Sequence, residues 1–165
     1  MWLVWLTFAR AEVVDRILHV AGGRIITTSD VDFEREFDAH DRSPIPALED
    51  PAYPIEARLI DYALVRELAG DVETFKPSAA DVQDRWQRFR DDWAVAEDHV
   101  AFLQKWGMSD EVLQGLIYSR LVVERYIARN IGVATISGDT NAASTERYAP
   151  WVAELRGHAE IRSPP

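Results

Sequence analysis

Residues 109–132 carry the longest continuous helical pattern in the chain. Ser109 supplies an N-cap, Asp110 and Glu111 fall in a first turn that favours anions, and Gly132 supplies a stop. Leu113, Ile117 and Leu121 line one row of this helix, and Leu116, Val123 and Ile127 widen it. A helix apolar over so much of its circumference needs neighbours on most sides, so the pattern predicts the central element of a helical assembly. The chain can supply those neighbours. Of its 165 residues 47% are hydrophobic, and at this length about 70% of the unfolded surface is buried without any covalent staple. The length points to one domain, or two small ones at most.

Composition removes several function classes. There is no cysteine, which excludes disulfide scaffolds, zinc-cysteine sites and thiol nucleophiles. Eighteen Lys and Arg stand against 28 Asp and Glu, a formal net charge of −10. Such a surface repels phosphate backbones and anionic lipid, which argues against nucleic-acid partners and electrostatic membrane docking.

Residues 1–8 (Met-Trp-Leu-Val-Trp-Leu-Thr-Phe) form an apolar run that is too short for a bilayer span of about 20 residues. Ala9-Arg10-Ala11 follows, an A-x-A pattern like the cleavage site of a secretory signal peptide, although no Lys or Arg precedes the run. The expectation is an exported chain, with residues 1–11 a signal remnant and residues 12–165 a single domain. A hydrophobic first strand or a short anchor is the alternative.

Residues 13–20 and 24–28 are β-prone and flank Gly22-Gly23, which predicts a hairpin with a tight primed turn. Ser29 then offers an N-cap for a helix reaching about Asp38. Residues 40–54 carry Pro44, Pro46, Pro51 and Pro54 and read as a solvated connector at the surface. Helix returns over residues 55–70, with Ile60, Ala63, Leu64 and Leu68 on one stripe and Gly70 as its end. Ser78 and Asp81 form a capping-box start, followed by Val82, Trp86, Phe89 and Trp93 at helical spacing. A shorter helix covers residues 97–106 and stops at Gly107. Residues 132–144 read as a linker, 145–156 as a last helix anchored by Trp151 and Leu155, and 159–162 as a short strand. That strand is expected to join the N-terminal ribbon and bring the two ends together. The fold class is therefore mostly α with a small β-ribbon.

The order of these pieces resembles the N-terminal chaperone module of the SurA-type periplasmic chaperones, whose core is shared with the client-binding domain of trigger factor. The carrying residues are Val14-Asp15-Arg16-Ile17, Ile26-Thr27-Thr28-Ser29-Asp30 and Leu59-Ile60-Asp61-Tyr62-Ala63-Leu64. With them go the helix start at Ser78–Asp81–Val82, the cap at Gly107-Met108-Ser109-Asp110-Glu111, and Val123-Glu124-Arg125-Tyr126-Ile127. Trp151, Leu155-Arg156 and Ile161 resemble the closing helix and strand. Many relatives insert parvulin-type prolyl isomerase domains between the long helix and the closing one. Here only residues 132–144 occupy that place, too few for such a fold. The resemblance thus implies a non-catalytic periplasmic holdase for unfolded or translocating polypeptides, with outer-membrane protein precursors as principal clients.

Motifs of other chemistries are missing. His19, His40, His99 and His158 lie far apart without H-E-x-x-H or H-x₃₋₅-H spacing, so no metal site is expected. Asp91 and Asp92 are adjacent and point about 100° apart on a helix, so they form no facing dyad. There is no G-x-S-x-G elbow and no phosphate loop. No catalytic residue and no cofactor is expected. Trp86, Phe89, Trp93, Phe102 and Trp106 remain as candidates for client binding. Aromatics at helical spacing ordinarily form core; a partly exposed groove of them would bind unfolded chains by apolar area and π-faces. Arg85, Arg88 and Arg90 read as outer-face charges beside that set, with stacking or client contacts as the alternative. The rival function is an adaptor that holds one folded partner on the same scaffold.

Overall fold

A computed structural model describes residues 15–132 and 142–164. The expected signal segment, residues 1–11, lies outside the described residues. The protein is mostly helical with a small antiparallel ribbon. Strand β1 (Ile17–Ala21) turns at Gly22-Gly23 into β2 (Arg24–Thr27). Both glycines have positive φ, +53° and +69°, as a two-residue primed turn requires, and Ala21 pairs with Arg24 across it.

Helix α1 (Thr28–Asp38) starts flush with the end of β2. Its cap is Thr27 and not Ser29: the Thr27 side chain accepts from the Asp30 amide, and Asp30 accepts the Thr27 amide at 2.8 Å. Thr27 is still extended as the last strand residue, so it can cap, whereas Ser29 already lies in the first turn.

Residues 40–54 differ most from expectation. They contain a short 3₁₀ turn (Pro46–Leu48), and Ile45, Ala47 and Leu48 are buried in the largest apolar cluster. The prolines stiffen the segment without placing it in water, because its alternate apolar side chains fit between helices. Helix α2 (Ile55–Ala69) ends at Gly70, and its last inward positions are Val65 and Ala69. Leu68, placed on the buried stripe from sequence, is 52% exposed, one position round the helix from Ala69.

Helix α3 (Ala79–Asp91) begins with the Ser78–Asp81 capping box, as the spacing indicates. Trp93 falls beyond its last turn, in the connection to α4 (Ala96–Lys105). Helix α5 (Asp110–Ile131) has the Ser109 cap and a left-handed Gly132. Its 22 residues span about 33 Å at 1.5 Å each. Helix α6 (Ala142–His158) begins earlier than expected, so residues 142–144 belong to a helix and not to a linker; the rest of that linker, 133–141, lies outside the described residues.

Among the described residues three apolar clusters result. Ile45, Leu48, Tyr62, Val65, Val123, Ile127 and Tyr148 join α2, α5 and α6 around the 3₁₀ turn. Ala21 and Ile26 lay the ribbon on Leu59, Ile60, Ala63 and Leu64 of α2. Phe37, Phe89, Phe102, Leu113 and Ile117 join α1, α3, α4 and α5. Between the first and third, Arg120 of α5 lies over the Phe37 ring at 4.5 Å and the Tyr62 ring at 5.4 Å. A separate polar node ties α2 to α6: Asp61, 0% exposed, accepts from Tyr148 Oη at 2.9 Å, Arg156 Nε at 2.7 Å, and the Tyr53 hydroxyl.

The C-terminal residues return to the ribbon. Val20 N–H donates to the Arg162 carbonyl at 2.8 Å and Arg162 N–H donates to the Val20 carbonyl at 3.0 Å, a single antiparallel bridge on the outer edge of β1. His19 Nδ1 lies 2.9 Å from Ser163 Oγ in the same seam. The terminal strand expected over residues 159–162 is thus one bridge long, and it does join the N-terminal ribbon. Among the described residues no helix is long and apolar enough to cross a membrane.

Candidate functional site

An open cleft of about 1170 Å³ lies between α3 and α5, with residues 40–44 and Phe75 also in its lining. The Ser78 capping box fixes where α3 starts, which sends Arg85 inward and leaves Arg88 at the rim. On α5, Glu124 faces the floor while Arg125 and Arg129 stand at the side.

The floor is ionic. Arg85, Arg120 and Arg58 are buried among Glu34, Asp41 and Glu124, with half-buried Asp38 beside them. Arg85 Nε donates to Asp41, and its terminal nitrogens reach Glu124 at 3.2 and 3.4 Å. Arg120 donates to Asp38 at 2.8 Å, to Asp41 at 3.3 Å and to Glu34; Arg58 binds Asp38. Four carboxylates thus share three guanidiniums, leaving one negative charge uncompensated. Glu124 comes no nearer than 3.2 Å to a guanidinium and is only 2% exposed. Burial pushes its carboxyl above the usual range, against the opposing pull of Arg85.

The other carboxylates of the cleft are also engaged. Arg125 holds Asp81 at 2.9 Å, Arg90 holds Asp91 at 3.4 Å, and His40 Nδ1 lies 2.9 Å from Asp92. Arg42 pairs with Glu49 at 3.2 Å. In contrast, the guanidiniums of Arg88 and Arg129 meet no hydrogen-bonding or ionic partner among the described residues, and both are exposed. The cleft's apolar surface comes from Pro44, Phe75, Phe89, Leu121 and Ala128. Among the described residues no group of three or more acidic or histidine side chains could hold a metal ion.

The five aromatics singled out from sequence come together, but as the third cluster. Phe89 and Phe102 are buried, stacked and tilted against Phe37, Phe33 and one another, while Trp86, Trp93 and Trp106 are half-buried at the margin. His40 stacks on Trp93 with ring centres 3.6 Å apart, Arg90 lies over Trp86 at 4.8 Å, and Trp106 Nε1 donates to Glu36 at 3.1 Å. Of the five, only Phe89 lines the cleft. Arg85, read as an outer-face charge, is instead buried, because the helix turn that carries Phe89 into the core carries Arg85 with it, four residues earlier.

The residues of the ionic floor were not found by motif. A signal for them exists on α5, where Ile117, Arg120, Glu124, Ile127 and Ile131 step by three and four along one buried stripe. Charges inside an apolar period mark a buried network once the period is trusted over the hydropathy of single residues. No protein-family model matches the chain, and no curated protein matches it.

Proposed function

We propose that this protein is a periplasmic holdase-type chaperone module that binds unfolded or translocating polypeptides, precursors of outer-membrane proteins among them, and has no isomerase activity of its own. The reading rests on the resemblance of its motifs to the SurA-type module. The observation that carries it furthest is the open cleft between α3 and α5. At about 1170 Å³ it exceeds the roughly 300–1,000 Å³ of pockets that enclose small molecules, and it suits a length of extended chain. Its lining alternates apolar side chains with charged ones, which can accept both the side chains and the backbone of a client without demanding one sequence. The clasp between Val20 and Arg162 agrees with a scaffold in which first and last segments are knitted together. The A-x-A pattern at residues 9–11 supports export. A compartment without nucleotide to drive release favours weak, reversible binding of this kind.

The test is suppression of aggregation. The full chain, mixed near-stoichiometrically with several unrelated unfolded proteins, is expected to keep each of them in solution, and to show no proline-dependent turnover in a peptide isomerisation assay. Tight binding of one folded protein with no effect on generic aggregation would replace the holdase by an adaptor.

A further inference from the structure

We propose that Arg88 on α3 and Arg129 on α5 bind carboxylates of the client, so that the cleft prefers acidic stretches of unfolded polypeptide over neutral ones of equal hydrophobicity. The proposal rests on the reading of the cleft as a polypeptide site and adds the chemistry of what enters it.

The asymmetry of pairing is the motive. Every carboxylate that lines the cleft already has a cation or histidine against it, whereas two of its arginines have none among the described residues. Each free guanidinium offers five N–H donors in a planar fork that matches a carboxylate in bidentate fashion. The two arginines stand on different helices lining the same cleft, so one extended segment can meet both while its apolar side chains reach Phe75 and Leu121. The formal charge of −10 opposes an acidic ligand at long range. At physiological salt the screening length is about 8 Å, so remote acids are largely silenced and groups in contact decide. Two solvent-facing ion pairs together are worth on the order of a tenfold preference.

The test uses the full chain and two labelled, unstructured peptides with identical apolar residues, one carrying several Glu and the other Gln at the same places. Fluorescence anisotropy is expected to give about tenfold tighter binding of the Glu peptide. In the double variant Arg88→Gln, Arg129→Gln the ratio of the two affinities is expected to fall to about one. Both positions are exposed, and an unchanged unfolding midpoint confirms that the variant is folded. Equal affinities for wild type, or a difference that survives the double variant, would overturn the carboxylate preference and leave the holdase reading standing. Displacement of the Glu peptide by millimolar free glutamate would overturn it too, by assigning the arginines to a small ligand. Failure of both peptides to bind, together with no suppression of aggregation, would remove the holdase reading itself.

Discussion

Arg120 lies 4.5 Å over the ring of Phe37 while its nitrogens hold Glu34, Asp38 and Asp41, so one side chain both packs α1 against α5 and binds the acids between them. Arg120→Ala is expected to cost about 3–5 kcal/mol, since it strands buried carboxylates as well as opening a hole. Arg120→Lys should fall between, because a single ammonium cannot serve three acids from the geometry of a planar fork. Urea unfolding measures both. A loss below about 1 kcal/mol for the alanine variant would mean that the acids find solvent without it.

Glu124 makes a pH-dependent contribution. Its folded pKa stands above the ordinary Glu value of 4.5, so between that value and the raised one the folded state keeps a proton that the unfolded chain gives up. Its contribution to stability is therefore largest at low pH and declines as pH rises through that window. Glu124→Gln, which mimics the protonated form, removes this dependence. Relative to wild type it should gain stability on going from about pH 5 to about pH 8 in urea titrations, and a constant or opposite difference would refute the assignment.

The hairpin turn separates two glycines that look alike in sequence. A Cβ on Gly22 would lie 2.6 Å from the Ala63 carbonyl oxygen and 2.8 Å from its carbon, whereas one on Gly23 meets nothing within 4 Å. Gly23→Ala should cost about 1–2 kcal/mol for the left-handed conformation alone. Gly22→Ala adds a collision with the backbone of α2 and should cost on the order of 3 kcal/mol or more. Similar midpoints for the two variants would show that the ribbon can lift off α2 without penalty.

The bridge between Val20 and Arg162 can be cut from one side. Arg162→Pro removes the amide that donates to Val20 at 3.0 Å and should cost about 1 kcal/mol. Hydrogen exchange is expected to quicken in β1 while the amides of α5 keep their protection. Unchanged exchange at Val20 would mean that the last residues contribute nothing to the ribbon.

Local chemistry made the elements legible: paired glycines at the turn, Ser78 and Asp81 at the start of α3, Ser109 and Gly132 around α5. Each is decided by neighbours within a few residues, which a linear reading sees. The start of α1 was displaced to Thr27 because two valid caps lay two positions apart and the end of the strand chose between them. Residues 40–54 and the ionic floor escaped for a different reason. Whether Ile45 and Leu48 lie in water or in a core depends on helices distant in sequence, and Arg120 fits a helix equally well facing in or out. The aromatic set was visible as a group, but Phe33 and Phe37, which pack against its two buried members Phe89 and Phe102, come from another helix.

The seam at Val20 has a kinetic consequence. One edge of β1 finds its partner only when residues near the far end of the chain arrive. Until then that edge carries the unpaired amide and carbonyl of Val20, a template for foreign strands. Val20 and Arg162 lie 142 positions apart, so the bridge closes a long loop and is expected to form after the helices that bring its two sides together.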